Sequence, residues 1–110
     1  MLVKNYSHDN TISGIIYFDN SGGFAISNRV ENNKSNGIEV GDDSSPTIMY
    51  NTIKGNKANN SAGLVFWENA TGTAIGNTIT GNSWGIYIDV NADPYIGENS
   101  VSGNTTNFNY

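Results

Sequence analysis

The side chains able to do chemistry in this 110-residue chain are few and mostly anionic: ten Asp and Glu, five Lys and Arg, one His and no Cys. Two acids sit in short alternating stretches. Glu39 lies in Gly37-Ile38-Glu39-Val40-Gly41-Asp42-Asp43, and Asp89 in Gly85-Ile86-Tyr87-Ile88-Asp89. Alternation of period two is a short strand with one face buried, so both acids share the face opposite the isoleucines. Gly14-Ile15-Ile16-Tyr17-Phe18 and Gly63-Leu64-Val65-Phe66-Trp67 have the same form, and put Phe18 and Trp67 on that face. Side by side, Phe18, Trp67 and Tyr87 with Glu39 and Asp89 suit a sugar chain, whose C–H groups stack on rings while its hydroxyls donate to acids. Asp42 and Asp43 join them from the following loop, as do Asp19 and Glu68. The plainer reading is that such aromatics are covered by a partner chain or a further domain.

Catalysis finds less support. A glycosidase places two carboxyls across the scissile bond, roughly 5 to 10 Å apart. Glu39 and Asp89 fall two strands apart in this series, a gap of that order at roughly 4.8 Å per strand. A β-elimination needs a base beside the sugar, and Arg29, Lys34, Lys54 and Lys57 belong to a different stretch and the turn after it. His8 is alone and is expected to face solvent. Asp89-Val90-Asn91-Ala92-Asp93 has the alternate oxygen spacing of a calcium loop. Yet Pro94 occupies the place of the required Gly, and Glu98 comes too early for the closing ligand. A polar turn explains Asp89, Asn91 and Asp93 without a metal. Calcium is the one cofactor these residues raise, and no other is expected.

A repeat positions these strands. The phrase Asn-x-(Ile/Val)-x-(Gly/Asn)-Asn recurs at Asn28–Asn33, Asn51–Asn56, Asn77–Asn82 and Asn99–Asn104, with a degraded copy at Asn5–Asn10. Leading asparagines are 23, 23, 26 and 22 residues apart, and a fixed period near two dozen means a solenoid whose windings rest on one another. Each winding offers three short strands. The Gly-led strand turns Ile15 and Tyr17, Ile38 and Val40, Leu64 and Phe66, Ile86 and Ile88, and Phe108 and Tyr110 inward. A second carries Ile26, Ile48, Ile75 and Ile96 as its apolar residues. The Asn phrase supplies Val30, Ile53, Ile79 and Val101. A directional repeat without two-residue turns pairs each strand in parallel with its counterpart one winding away. Asn28, Asn51, Asn77 and Asn99 fall at a sharp corner, where Asn tolerates the left-handed conformation. Their amides both donate and accept, so stacked copies form a ladder. Asn33, Asn56, Asn82 and Asn104, with Asn10, form a second.

The alternation of Asn-x-Ile-x-x-Asn with Gly-Ile-x-Val, over essentially the whole chain, resembles the right-handed parallel β-helix repeat of the pectate-lyase-like superfamily. Similar repeats occur in periplasmic copper-processing (NosD-like) proteins, alginate epimerases, surface-layer-associated proteins and phage tailspikes. The resemblance implies an all-β, right-handed parallel β-helix with three short parallel sheets. It also makes the Gly-led strand the first of each coil, the one whose outer face commonly holds the site. It implies little about chemistry, because the scaffold hosts lyases, hydrolases, epimerases and binding proteins. The acids of polygalacturonases fall just before the Gly-led strand, where this chain has Ser13, Asn36, Ala62 and Trp84. Gly41-Asp42-Asp43 is only superficially similar. The Asp-Pro-His cluster of alginate epimerases is absent from the sequence.

A net charge of −5 without a basic cluster argues against nucleic acid and against insertion into or binding of an anionic membrane. No stretch is long enough to span a bilayer. The expectation is one β-helix domain over residues 1–110, four to five coils of about 22–26 residues, standing alone or as a segment of a longer solenoid. Its expected role is a non-catalytic extracellular or cell-surface module whose partner is a polysaccharide or surface glycan. The alternatives are a structural repeat that self-associates end to end, and a fragment of a polysaccharide lyase or hydrolase.

Overall fold

The computed structural model describes residues 1–110, which form fifteen strands and no helix. They wind as five coils of three strands. The first holds β1 (Leu2–Val3), β2 (Tyr6–His8) and β3 (Ile15–Tyr17), and the second β4 (Phe24–Ile26), β5 (Arg29–Glu31) and β6 (Ile38–Val40). The third holds β7 (Thr47–Met49), β8 (Thr52–Lys54) and β9 (Ala62–Phe66). The fourth holds β10 (Thr73–Ile75), β11 (Thr78–Thr80) and β12 (Trp84–Ile88), and the last β13 (Tyr95–Ile96), β14 (Ser100–Ser102) and β15 (Thr106–Asn109). Every pairing is parallel and joins equivalent strands of adjacent coils. Three five-stranded sheets result: the Gly-led sheet β3-β6-β9-β12-β15, the middle sheet β1-β4-β7-β10-β13 and the Asn-phrase sheet β2-β5-β8-β11-β14.

Two columns of asparagine set the register. Along Asn5, Asn28, Asn51, Asn77 and Asn99, each residue donates both its backbone N–H and its Nδ2 to the Oδ1 of the next, at 2.8–3.1 Å. Asn10, Asn33, Asn56, Asn82 and Asn104 do the same at 2.7–3.1 Å. The other Nδ2 hydrogen of Asn51, Asn77 and Asn82 reaches back to the carbonyl of Ala25, Ile48 and Ile53, one coil earlier. A single amide therefore clamps three successive windings. Asn28, Asn51, Asn77, Asn33, Asn56 and Asn82 are buried, where an unmet amide is costly.

The ladder asparagines do not themselves take the left-handed conformation, contrary to expectation. At the first corner the residue before them does so: Lys4, Ser27, Tyr50 and Gly76, at φ of 58°, 59°, 55° and 69°. At the second corner it is Asp9, Asn32, Gly55, Gly81 and Gly103. The ladder residue has to aim its own N–H along the axis, so the bend falls one position earlier. Lys4, Ser27 and Tyr50 hold a conformation that costs an L-residue about 1–2 kcal/mol, and the clamp above offsets it.

The inner columns of two sheets follow the alternation. Ile38, Leu64 and Ile86 are fully enclosed in the Gly-led sheet, and Val30, Ile53 and Ile79 in the Asn-phrase sheet. Phe108 continues the first column beside Ile86, but in the last coil it stays 48% exposed, and Tyr110 is exposed too. The middle sheet alternates out of step with its isoleucines. Its inner column is Ala25, Ile48, Ala74 and Ile96, each three residues before the ladder Asn. Ile26 and Ile75 lie beside Met49 on the other face, half-buried. Volume explains the small residues. Where the Gly-led strand ends on Tyr17 or Phe66, the strand that follows turns in Ala25 or Ala74. Where it ends on Val40 or Ile88, the next turns in Ile48 or Ile96. Bulky and small side chains thus complement each other inside a fixed perimeter. Burial raises the Tyr17 hydroxyl pKa above its ordinary value, because the phenolate would lose its solvent there.

Replacing Asn56 by Ala deprives Asn33 of the acceptor for two donors. Urea unfolding should show a loss of about 2–4 kcal/mol, whereas Asn59→Ala, at an exposed corner, should change stability by no more than about 0.5 kcal/mol.

Candidate functional site

The outer face of the Gly-led sheet is built from three columns of side chains. Ile16, Glu39, Val65, Tyr87 and Asn109 are neighbours in register. Phe18, Gly41, Trp67 and Asp89 form the next column, set by the N–H groups of Gly41, Trp67 and Asp89 donating to Tyr17, Val40 and Phe66. On the other side, Ala62 stands between Trp84 and, one coil earlier, Asn36. Here Gly14, Gly37, Gly63 and Gly85 lead the strand in the first four turns, and Asn107 takes the place in the last. A Cβ on Gly37 would lie 2.5 Å from the Gly63 carbonyl and 2.6 Å from Ile53, so the chain closes the coil only without one.

A depression of about 330 Å³ opens on this face, lined by Asn36, Glu39, Asn60, Ala62, Val65, Trp67, Tyr87 and Asp89. It unites Glu39, Trp67, Tyr87 and Asp89 from the sequence-derived set. Phe18 stands outside it, 52% exposed. Asp42 and Asp43 also lie outside, as two consecutive left-handed residues at φ 51° and 60° in the turn after β6. Asp89, Asn91 and Asp93 follow the equivalent corner after β12. There the Ala92 N–H donates to the Asp89 carbonyl and the Asp93 N–H to that of Ala70. Asn91 and Asp93 are exposed, and no three acidic or histidine side chains gather closely enough to hold an ion. His8 is exposed, stacked on Tyr6 at 3.9 Å and bonded to Asp9 at 2.7 Å, on the Asn-phrase sheet. Beside it Arg29 pairs with Glu31 at 3.0 Å, and a hydrogen bond to Glu31 raises the Tyr6 pKa.

Sequence reasoning missed Asn36, Asn60 and Ala62. Asn36 organises one wall. Its Oδ1 accepts from the Ala62 N–H at 2.8 Å, and its Nδ2 donates to Glu39 Oε2 at 3.2 Å. Ser13 Oγ donates to the same Oε2 at 2.7 Å. Glu39 is therefore oriented through one oxygen, and Oε1 keeps its acceptor capacity. Asp89 takes no side-chain bond within the protein. The signal for Asn60 was the single 26-residue interval. Gly14, Gly37, Gly63 and Gly85 follow the trailing Asn by 4, 4, 7 and 3 residues, so the extra length forms the corner 57–61, and Asn60 borders the depression from it.

The aromatic rings are fixed differently. Trp84 meets Tyr87 edge to face, with centroids 5.8 Å apart. The Trp67 indole lies over Gly41, where an added Cβ would stand 2.6 Å from Nε1 and 2.9 Å from Cε2. That Nε1 is buried without a partner, an arrangement that costs roughly 1–3 kcal/mol. The ring stays because Gly41 leaves a flat seat for it.

The profile of the family described as right-handed β-helix region matches residues 1–106, and the chain belongs to that family. No curated protein and no solved structure matches the chain.

Gly41→Ala should displace the Trp67 indole while leaving the backbone intact. In a Trp84→Phe background the remaining tryptophan emission should shift to longer wavelength, with far-ultraviolet circular dichroism unchanged.

Proposed function

We propose that this β-helix is a non-catalytic module, acting outside the cell or at its surface, that contacts carbohydrate along the outer face of its Gly-led sheet. The observation that carries the reading is the depression itself. It sets an indole and a phenol among two carboxylates and two carboxamides on a face fixed by parallel strands. Apolar ring faces take the C–H surface of a sugar, and the surrounding polar groups take its hydroxyls. Both requirements meet in one place, on strands that cannot shift without breaking the ladders.

The carboxylates favour contact over cleavage. Glu39 and Asp89 are two coils and two strand positions apart, which separates their Cα atoms by roughly 12 Å. They frame the depression from opposite corners, with Val65 and Trp67 on the coil between them. A glycosidase pair of carboxyls faces across one scissile bond, whereas here an indole stands on the coil between the two acids.

A glycan array identifies the ligand class, and titration calorimetry with a hit gives the affinity. Trp67→Ala and Tyr87→Ala should each weaken binding about tenfold or more, with little change in melting temperature because both rings lie outside the core. Binding that survives both substitutions, or no binding to any glycan at millimolar concentration, would refute the reading.

A further inference from the structure

We propose that the glycan taken by this face is cationic, a sugar chain carrying protonated amines such as a glucosamine oligomer. The proposal rests on the carbohydrate reading above and specifies its ligand class. The only ionisable groups of strong charge lining the depression are Glu39 and Asp89. The turn edge of the face continues the same sign with Asp19, Asp42, Asp43, Glu68 and Asp93.

Compensating cations are elsewhere. Arg29 is engaged with Glu31 and lies over the Tyr6 ring at 4.3 Å, on another sheet. Lys54 ends β8 on that sheet, and Lys4 sits at the corner between β1 and β2. Lys34 and Lys57 are exposed in the corners ahead of the face, and neither lines the depression. A uronate ring would therefore bring its carboxylate against two like charges with nothing to balance it. An ammonium in the same place gains both attractions.

The local geometry favours the amine further. Ser13 and Asn36 hold Glu39 by Oε2, so Oε1 can accept from an ammonium without reorganising the side chain. Asp89 has no donor within the protein and acquires one. The Trp67 and Tyr87 rings line the same depression as the two acids, and an ammonium over an aromatic face adds cation–π attraction.

Calorimetry with three oligosaccharides of matched length tests this: a glucosamine oligomer, its N-acetylated counterpart and a galacturonate oligomer, at mildly acidic pH. The amine oligomer should bind about tenfold or more tightly than the acetylated one, the uronate most weakly, and the amine's advantage should shrink as salt rises. In the Glu39→Gln/Asp89→Asn double variant, the ratio of amine to acetylated affinity should collapse to within about twofold. Asp89→Asn alone, which removes no internal bond, should lower the ratio partway. Acetylated or uronate oligomer binding as tightly as the amine would overturn the charge assignment and leave the carbohydrate reading standing, because a sugar still binds. An amine preference that persists in the double variant would overturn it too, assigning the preference to the chain's overall negative charge. Failure to bind any of the three, or any arrayed glycan, would overturn both.

Discussion

Registry between windings depends on the asparagine amide, the side chain that gives two hydrogens and accepts through a neighbouring oxygen in one plane. Stacking it at a fixed corner lets each coil donate forward to the next Oδ1 and backward to a strand carbonyl. Once two such columns are closed, the strands between them have no freedom to slip. A slip of one residue would turn Ile53 and Ile79 outward and break the amide bonds at both corners. The hydrophobic interior is narrow, and it works because the ladders fix its perimeter. That is why bulky Tyr17 and Phe66 are answered by Ala25 and Ala74.

The same rigidity explains how a shaped depression is made on an otherwise regular face. Side chains on the Gly-led sheet repeat at the spacing of the coils, so the face presents columns rather than isolated residues. Specific chemistry enters where columns are broken: Glu39 among Ile16, Val65 and Tyr87, and Gly41 between Phe18 and Trp67. The enlarged corner at 57–61 adds a raised edge beside them. The scaffold is uniform, and the depression is its local exception.

Much of this was legible in the residues. Both ladders, the three parallel sheets and two of the three inner columns follow from the interval between asparagines and from alternation. In the middle sheet isoleucine alone does not mark the inward position. Ile26 and Ile75 are one residue out of step with Ile48, and counting back from the ladder Asn finds Ala25 and Ala74. The left-handed residue stands one position before the Asn to which propensity points, because hydrogen-bond direction decides. On the outer face, alternation located Glu39, Trp67, Tyr87 and Asp89. It could not separate Asp42 and Asp43, which serve a tight turn, from acids that line a surface. Asn36 carries no mark in the sequence, because its part depends on a bond to the Ala62 backbone one coil away, which no local pattern encodes.

Hydrogen exchange of the asparagine side chains, resolved by nuclear magnetic resonance, tests the amide clamp most directly. The Nδ2 hydrogens of Asn28, Asn51, Asn56, Asn77 and Asn82 should exchange orders of magnitude more slowly than those of exposed Asn59, Asn69 and Asn91. They should exchange at the rate of the most protected backbone amides. If they exchange as freely as the exposed ones while the strands stay protected, the amide columns do not hold the windings in register.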